Sequence, residues 1–263
     1  MALIYRPSGM ALEYAPLALN LYNGCTHGCK YCYAPACLRT AAEKFHQAGV
    51  PRNAVLRQLE AEAHKYTDSK DRVLLSFTSD PYQPAEDHYK MTRGAIRILT
   101  DHSVPWQVLT KGGVRACRDF DIFIAGGGYF ATSLVFTEDS SRREWEPAAA
   151  SVESRLEAIR QAHEAGIRTW VSVEPVIDPK QALSLIENNS GIVDAWKIGK
   201  LNHHPAAAQV DWQKFTDSLV ELLPGLPSQY MIKDSLRKYL PPGFEVNTIC
   251  EPESTKSTIA TLF

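Results

Sequence analysis

The sequence lacks any apolar run long enough to cross a membrane, and its first ten residues, MALIYRPSGM, hold an arginine and a proline where a secretion signal needs an apolar core. It also lacks a charge excess, because 28 Lys and Arg residues stand against 30 Asp and Glu residues. Such a balance gives no overall basic field of the kind that attracts nucleic acid. We therefore expect a cytoplasmic protein with no membrane contact, in which any nucleic-acid partner would need a local basic groove.

Repeats, low-complexity tracts and linkers rich in Gly, Ser or Pro are absent as well. A chain of 263 residues suits one large α/β barrel or two small domains. Because no linker divides it, we expect a single domain overall. Residues 1–210 would form its main body, and residues 211–263 would form a C-terminal extension packed on that body.

Cysteine is scarce, since six residues are too few for a disulfide-stapled secreted domain of this length. Three of the six stand together, as Cys25, Cys29 and Cys32. This C-x3-C-x2-C spacing after an apolar run places three thiols on one loop, where they can hold three corners of one iron-sulfur cluster. The fourth iron stays open for a substrate or cofactor, which predicts catalysis rather than electron storage.

A structural zinc site is the alternative, because zinc also binds thiolate and imidazole at short spacings. His27 or Cys37 would supply its fourth ligand. A zinc knuckle normally pairs one close couple of ligands with a second couple, whereas Cys117 and Cys250 are isolated from each other. This alternative predicts a zinc-stabilised nucleic-acid-binding protein without catalysis, and the near-neutral charge counts against it.

Strand and helix patterns alternate along the chain. Strands are predicted at residues 17–22, 72–77, 106–110, 129–136, 168–173 and 195–198, and helices at residues 52–66, 86–101, 114–124, 152–164 and 179–187. The tail adds a helix at residues 212–223 and a short segment at residues 229–239. Such alternation implies parallel strands, in a barrel or a doubly wound sheet. The glycine-rich loop that a doubly wound methyltransferase carries after its first strand is missing.

Polar residues stand at the ends of the predicted strands, and those ends form the active-site edge of a parallel sheet. Beyond the cysteine loop they are Ser79, Asp80, Lys111, Ser133, Glu174 and Lys200. Each taken alone can be structural; Ser79 or Asp80, for example, can simply begin the turn before Pro81. Six such residues in phase with the strands favour one shared site.

Three motifs carry a family resemblance. The segment CTHGCKYC at residues 25–32 resembles the signature of the radical SAM superfamily, including the aromatic residue before the last cysteine. Together with TSDPYQPAE at residues 78–86 and LTKG at residues 109–112, it resembles the branch related to spore photoproduct lyase. The first motif is specific for the superfamily, whereas the other two indicate the branch and do not fix a substrate.

That resemblance implies an α/β fold, a partial (β/α)6 barrel of the TIM type with a C-terminal extension. It implies a 4Fe-4S cluster on Cys25, Cys29 and Cys32, and S-adenosylmethionine (SAM) on the open iron. Reductive cleavage of SAM would give a 5'-deoxyadenosyl radical that abstracts hydrogen from a substrate. The substrate would be a small molecule or a nucleotide, with nucleic acid suggested only by the branch, and a flavodoxin- or ferredoxin-type protein would donate the electron.

Seven residues are predicted to bind the cofactor within that framework: Tyr31, Ser79, Asp80, Lys111, Ser133, Glu174 and Lys200. The Tyr31 ring would pack beside the adenine and shield the cluster from water. Lys111 would bind the methionine carboxylate. Ser79 and Asp80 would meet the amino or ribose end of SAM, and Ser133 its ribose or carboxylate. Glu174 would either meet a ribose hydroxyl or pair with a neighbouring cation, and Lys200 is included for its place at a strand end. His203 and His204 are interpreted as part of a solvated loop, with contact to a substrate near the barrel mouth as the alternative.

One position departs from the branch. A spore photoproduct lyase is expected to carry a hydrogen-donor cysteine just upstream of the serine-aspartate pair, where this chain has Phe77. A phenyl ring cannot return a hydrogen atom as a thiol does, so repair of the spore thymine dimer is not expected. Cys37, Cys117, Tyr33 or Tyr82 could donate instead, although a packed or surface role is the simpler interpretation of each.

Overall fold

The structure is a computed structural model that describes residues 2–75 and 77–249. It contains one large sheet of seven strands, and each strand pairs in parallel with its neighbours. The strands are β1 (Leu17–Leu19), β2 (Val73–Leu75), β3 (Trp106–Thr110), β4 (Tyr129–Ser133), β5 (Thr169–Val176), β6 (Ala195–Lys200) and β7 (Gln229–Ile232).

The order of the strands in space is the same as their order in the chain. A doubly wound sheet would reverse its order at a switch point, so this arrangement is of the barrel type. Within the described residues no pairing joins β1 to β7, and the barrel is therefore partial. The predicted partial TIM-type barrel is confirmed, with one strand more than the six that the sequence pattern indicated.

The additional strand is β7, which lies in the segment that the sequence analysis assigned to the C-terminal extension. It pairs along β6, with Tyr230 and Ile232 buried in the main core. A segment of four residues is too short for strand and helix periodicity to be told apart, and for this reason the sequence pattern did not reveal it.

Helices join the strands. Those of seven or more residues are Val55–Ala63, Met91–Asp101, Phe120–Gly126, Asp139–Trp145, Val152–Glu164, Pro179–Asn189 and Trp212–Leu222. Shorter ones are Ala34–Cys37, Ala42–Gln47, Glu86–Tyr89 and Asp234–Arg237, and 3-10 turns span Gly9–Glu13, His64–Tyr66, Gly113–Asp119, Pro205–Gln209 and Leu223–Gly225. Two short strands, Tyr22–Asn23 and Val50–Pro51, pair antiparallel. No helix in the described ranges has the length and apolarity to cross a membrane.

The helix Met91–Asp101 illustrates how the sequence pattern produces the packing. Its buried residues Thr92, Ala95, Ile96 and Leu99 recur at helical spacing and form one face against the core. Burying a side chain the size of leucine contributes roughly 1.5–3 kcal/mol. The predicted helix over residues 86–101 is in fact two helices, because Lys90 adopts a left-handed φ of 51° between them.

Successive strand residues alternate between the two faces of the sheet. One face packs into the large core with the helices, and the other forms a smaller cluster that includes Leu74, Ala131 and Trp170. Tyr14, which precedes β1, enters this smaller cluster; its ring centroid lies 6.0 Å from that of Trp170 and 6.2 Å from that of Phe77. The N-terminal segment therefore helps to fill the barrel interior.

Candidate active site

The three clustered cysteines lie on the loop between the strand Tyr22–Asn23 and the helix Ala34–Cys37, and their thiols are free and partly buried. Glycine is required at the start of this loop. Gly24 has a φ of 77°, and a Cβ atom there would lie 2.2 Å from the carbonyl oxygen of Ala48. Burial, with a smaller contribution from Asp80, raises the pKa of the Cys25 thiol to about 12. Metal binding at these thiols would therefore release protons.

The donor set fits an open-iron cluster better than a mononuclear zinc ion. Across residues 2–75 and 77–249, no three His, Cys, Asp or Glu side chains converge closely enough to hold one metal ion. Three cysteines of a four-iron cluster bind three different irons and need not converge on one point. His27 is engaged elsewhere, with its ring nitrogens 3.2 Å from the Ala148 carbonyl and 3.2 Å from the Asp80 carboxylate. Cys37 is exposed at the end of its helix.

Gln83, which was not predicted as a site residue, holds the backbone of the cysteine loop through side-chain hydrogen bonds. Its fully buried side chain accepts a hydrogen bond from the backbone N–H of Thr26 at 3.1 Å and donates one to the carbonyl of Gly24 at 3.2 Å. The two bonds bracket Cys25. A Cβ atom on Gly49 would lie 2.1 Å from the Gln83 amide, so this glycine makes room for the clamp.

Asp80 joins the cysteine loop to the ends of β2 and β3. Its carboxylate accepts hydrogen bonds from the hydroxyl of Thr110 at 2.5 Å and from the backbone N–H groups of Tyr82 at 2.8 Å and Lys111 at 2.6 Å, and it faces His27. Burial alone would raise the pKa of Asp80, but His27 and the hydrogen bonds outweigh it and lower the pKa to about 2. These contacts support a positioning role beside the predicted contact with the cofactor.

A buried ion pair lies against Tyr31, the aromatic residue before the last cysteine. The Tyr31 hydroxyl donates to Glu146, and Glu146 Oε2 lies 2.6 Å from Arg155 Nη2, with both side chains fully buried. Arg155 lowers the pKa of Glu146 against the opposing effect of burial, so the carboxylate stays charged. Glu146 did not stand out in the sequence, because its contact with Tyr31 spans 115 positions of the chain.

Lys111 lies in the middle of this group. Its Nζ is 5.6 Å from the centroid of the Tyr31 ring, and no carboxylate of the described residues lies within ion-pair distance of it. Burial acts to lower the pKa of Lys111, but the neighbouring Cys29 and Glu146 raise it above its usual value. The ammonium group is therefore charged and can take an additional anionic partner.

The two predicted serines lie on the same edge. Ser79 is buried, and within the described part of the chain its hydroxyl has no hydrogen-bond partner. Ser133 ends β4 and is also buried, and its carbonyl accepts a hydrogen bond from Arg155 at 2.9 Å. An orphaned buried hydroxyl is costly, so the Ser79 side chain suits a polar group of a bound molecule.

Glu174 lies two residues before the end of β5, Lys200 lies at the end of β6, and both make other contacts. Glu174 accepts a hydrogen bond from Tyr14, and its Oε2 lies 3.7 Å from Lys233 Nζ; burial raises its pKa, although Lys233 opposes this. Lys200 Nζ lies 3.4 Å from the hydroxyl of Tyr239. None of the described contacts joins either residue to the cysteine loop.

Phe77 lies two residues beyond the end of β2. Its backbone N–H donates to the side chain of Asn20 at 2.9 Å, and its carbonyl accepts a hydrogen bond from the hydroxyl of Tyr33 at 2.6 Å. Asn20 also accepts from the N–H of Thr78 at 2.8 Å and so shapes the turn that leads to Ser79. His203 is exposed with a left-handed φ of 57°, and Cys250 lies outside the described residues.

The structure is a parallel partial barrel with three free thiols on one loop. The Lys111 ammonium group and the Ser79 hydroxyl lie at the same edge. These features form the framework of an iron-sulfur barrel enzyme. The family model of the radical SAM superfamily matches residues 19–187. The chain belongs to the radical SAM superfamily, a family of enzymes whose cofactors are a 4Fe-4S cluster and SAM.

Similar sequences come from distant organisms. An uncharacterised protein of Methanocaldococcus jannaschii is 27% identical over 164 residues, which are 62% of this chain and 61% of that protein. An uncharacterised protein of Mycobacterium tuberculosis is 26% identical over 250 residues, which are 90% of this chain and 72% of that protein. The chain thus spans less than two thirds of the first of these relatives.

Solved structures share the fold. A spore photoproduct lyase variant with bound AdoMet and dinucleoside spore photoproduct has a TM-score of 0.59 and 19% identity, covering 81% of this chain and 62% of that one. A second lyase variant has a TM-score of 0.66 and 16% identity, covering 86% of this chain and 78% of that one. Streptococcus suis SuiB bound to S-adenosylmethionine has a TM-score of 0.62 and 10% identity, and the match covers 85% of this chain and 52% of SuiB.

Proposed function

We propose that this protein cleaves SAM reductively at a 4Fe-4S cluster held by Cys25, Cys29 and Cys32 and directs the resulting radical at a hydrogen atom of its substrate. When bound and reduced by an electron donor, the cluster would supply one electron to SAM, which would break the sulfonium carbon-sulfur bond and give methionine and a 5'-deoxyadenosyl radical. The single observation that carries the proposal is the Lys111 ammonium group, which lies beside the Tyr31 ring and the cysteine loop without a carboxylate partner among the described residues.

The chain's own residues would bind and orient the cofactor. Lys111 would hold its carboxylate through a charge-assisted hydrogen bond, and the buried Ser79 hydroxyl would take its amino group or ribose. Ser133 would contribute at the neighbouring strand end, while the Tyr31 ring excludes water from one side of the cluster. Gln83 and Asp80 would fix the positions of the cysteine loop and of the Lys111 backbone through their hydrogen bonds.

For the substrate we propose a nucleotide, free or within a nucleic acid, supported by the likeness to the lyase structure that contains a dinucleoside. Thymine-dimer repair is not part of this proposal, because Phe77 offers no hydrogen atom of the thiol kind. A small-molecule substrate remains the alternative. An electron donor of the flavodoxin or ferredoxin type and a cytoplasmic location complete the proposal.

Anaerobic purification tests the proposal. The wild-type protein should contain about four irons and four sulfides and should release 5'-deoxyadenosine after reduction in the presence of SAM, whereas a variant with all three cysteines changed to alanine should do neither. A colourless protein with stoichiometric zinc would contradict the proposal in favour of a zinc-stabilised nucleic-acid-binding protein. Steeply salt-dependent binding to DNA or RNA would then be the next measurement.

A further inference from the structure

The strongest unassigned feature of the site is the buried pair of Glu146 and Arg155. Both side chains are fully inaccessible, and their charged atoms lie 2.6 Å apart. A buried ion pair is a poor source of net stability, because desolvating two charges costs about as much as their attraction returns. Its presence beside Tyr31 therefore calls for an explanation beyond stability.

Arg155 is fixed from three directions. Besides Glu146, it donates to the carbonyl of Ser133 at the end of β4 at 2.9 Å and to the carbonyl of Ala150 at 3.0 Å. Glu146 in turn accepts the hydrogen bond of the Tyr31 hydroxyl. A continuous chain of contacts thus runs from the end of β4 to the residue between Cys29 and Cys32.

The backbone around Glu146 holds the same loop. The N–H of Lys30 donates to the carbonyl of Trp145 at 2.9 Å, and the N–H of Ala148 donates to the carbonyl of His27 at 3.1 Å. Residues 145–150 therefore lie alongside the cysteine loop as a strap, and Glu146 supplies its side-chain attachment. All of these contacts join one protein residue to another, and none of them requires a bound cofactor.

We propose that Glu146 and Arg155 are positioning residues: their ion pair fixes Tyr31 and ties the cysteine loop to the end of β4, so that the cluster and the cofactor edge keep one geometry. The proposal deepens the proposed function and rests on it. The pair acts through Tyr31 and through its charges, and among the described residues no hydrogen bond joins it to a cysteine.

The fold offers a matched control. Tyr22 lies in the main core and donates its hydroxyl hydrogen bond to Glu86, and Glu86 pairs with Arg118. The chain thus holds a second tyrosine-glutamate-arginine set, in which Arg118 is 28% exposed. Tyr22→Phe and Tyr31→Phe remove the same hydrogen bond and leave both rings in place. A purely structural effect should be similar in the two variants.

The first measurement needs no cluster. Hydrogen exchange in the metal-free protein should be about fivefold faster at the backbone N–H groups of Lys30 and Cys32 in Tyr31→Phe, and unchanged there in Tyr22→Phe. Equal exchange at these two groups in Tyr31→Phe and the wild type would overturn the proposal. This result would stand whether or not the protein binds a cluster.

The second measurement is the midpoint potential of the reconstituted cluster, with the electron paramagnetic resonance spectrum of its reduced form. Glu146→Gln removes a negative charge and should raise the potential, because reduction adds an electron nearby. The double variant Glu146→Gln with Arg155→Gln removes both charges and should return the potential toward the wild-type value. Unchanged potentials, or shifts that grow in the double variant, would refute the proposal. Failure of the wild type to take up iron would instead refute the proposed function.

Discussion

Replacing Gln83 should loosen the cysteine loop without touching a cysteine. Gln83→Leu keeps a side chain of similar volume but removes both hydrogen bonds to the loop backbone, which measure 3.1 Å and 3.2 Å. It leaves the N–H of Thr26 and the carbonyl of Gly24 without these partners. Two fully buried unsatisfied groups would cost roughly 2–6 kcal/mol together. Both contacts are only partly buried, so the free energy of unfolding should fall by about 2–4 kcal/mol.

Urea unfolding of the metal-free protein measures this loss, and iron analysis after reconstitution measures its effect on the site. Gln58→Leu is the matched control, since the exposed Gln58 side chain also donates one hydrogen bond, to the carbonyl of Asn53 at 3.1 Å. We expect a change below about 0.5 kcal/mol for this control. If the two variants unfold at the same urea concentration and bind the same amount of iron, the hydrogen bonds of Gln83 do not hold the loop.

Three further predictions follow from the site. Lys111→Met should raise the Kd for SAM by about 10–100-fold at an unchanged melting temperature, because a charge-assisted hydrogen bond is lost. Calorimetric titration of the reconstituted protein with SAM measures this change. Asp80 has a pKa lowered to about 2 in the folded protein, against about 4 in the unfolded chain, so it stabilises the fold by roughly 2 kcal/mol above pH 4. This stabilisation is lost as the pH falls from about 4 through about 2. Acid unfolding curves of Asp80→Asn should therefore lack this pH dependence. Gly24→Ala should prevent iron uptake, since its Cβ would lie 2.2 Å from the Ala48 carbonyl oxygen; normal iron content would contradict that geometry.

The sequence pattern predicted the barrel because alternation of strands and helices is a local signal that recurs through the chain. The cysteine motif likewise lies within eight residues. Lys111 follows one predicted strand directly, and Ser79 lies two residues after another. Such features can be predicted from the sequence without knowing which segments contact each other in the fold. The strand β7 was missed because its four residues carry too little periodicity.

Contacts between distant segments could not be predicted in this way. The attachment of Tyr31 to Glu146 spans 115 positions, and the clamp of Gln83 on Thr26 spans 57. Gln83 stood inside a recognised motif, yet nothing in the motif indicated that its side chain turns back to the cysteine loop. Glu174 and Lys200 were predicted from their places at strand ends, and their contact with the cofactor stays a prediction. Their contacts with Tyr14 and Tyr239, from the N-terminal and C-terminal segments, could not be predicted from the sequence.

The most direct test of the central claim is the identity of the products formed from SAM. The reduced, reconstituted protein should convert SAM to equal amounts of 5'-deoxyadenosine and methionine under anaerobic conditions, and Cys29→Ala should form neither. Chromatography with mass detection separates these products from S-adenosylhomocysteine. Formation of S-adenosylhomocysteine, or a fully loaded cluster that leaves SAM intact, would contradict the account.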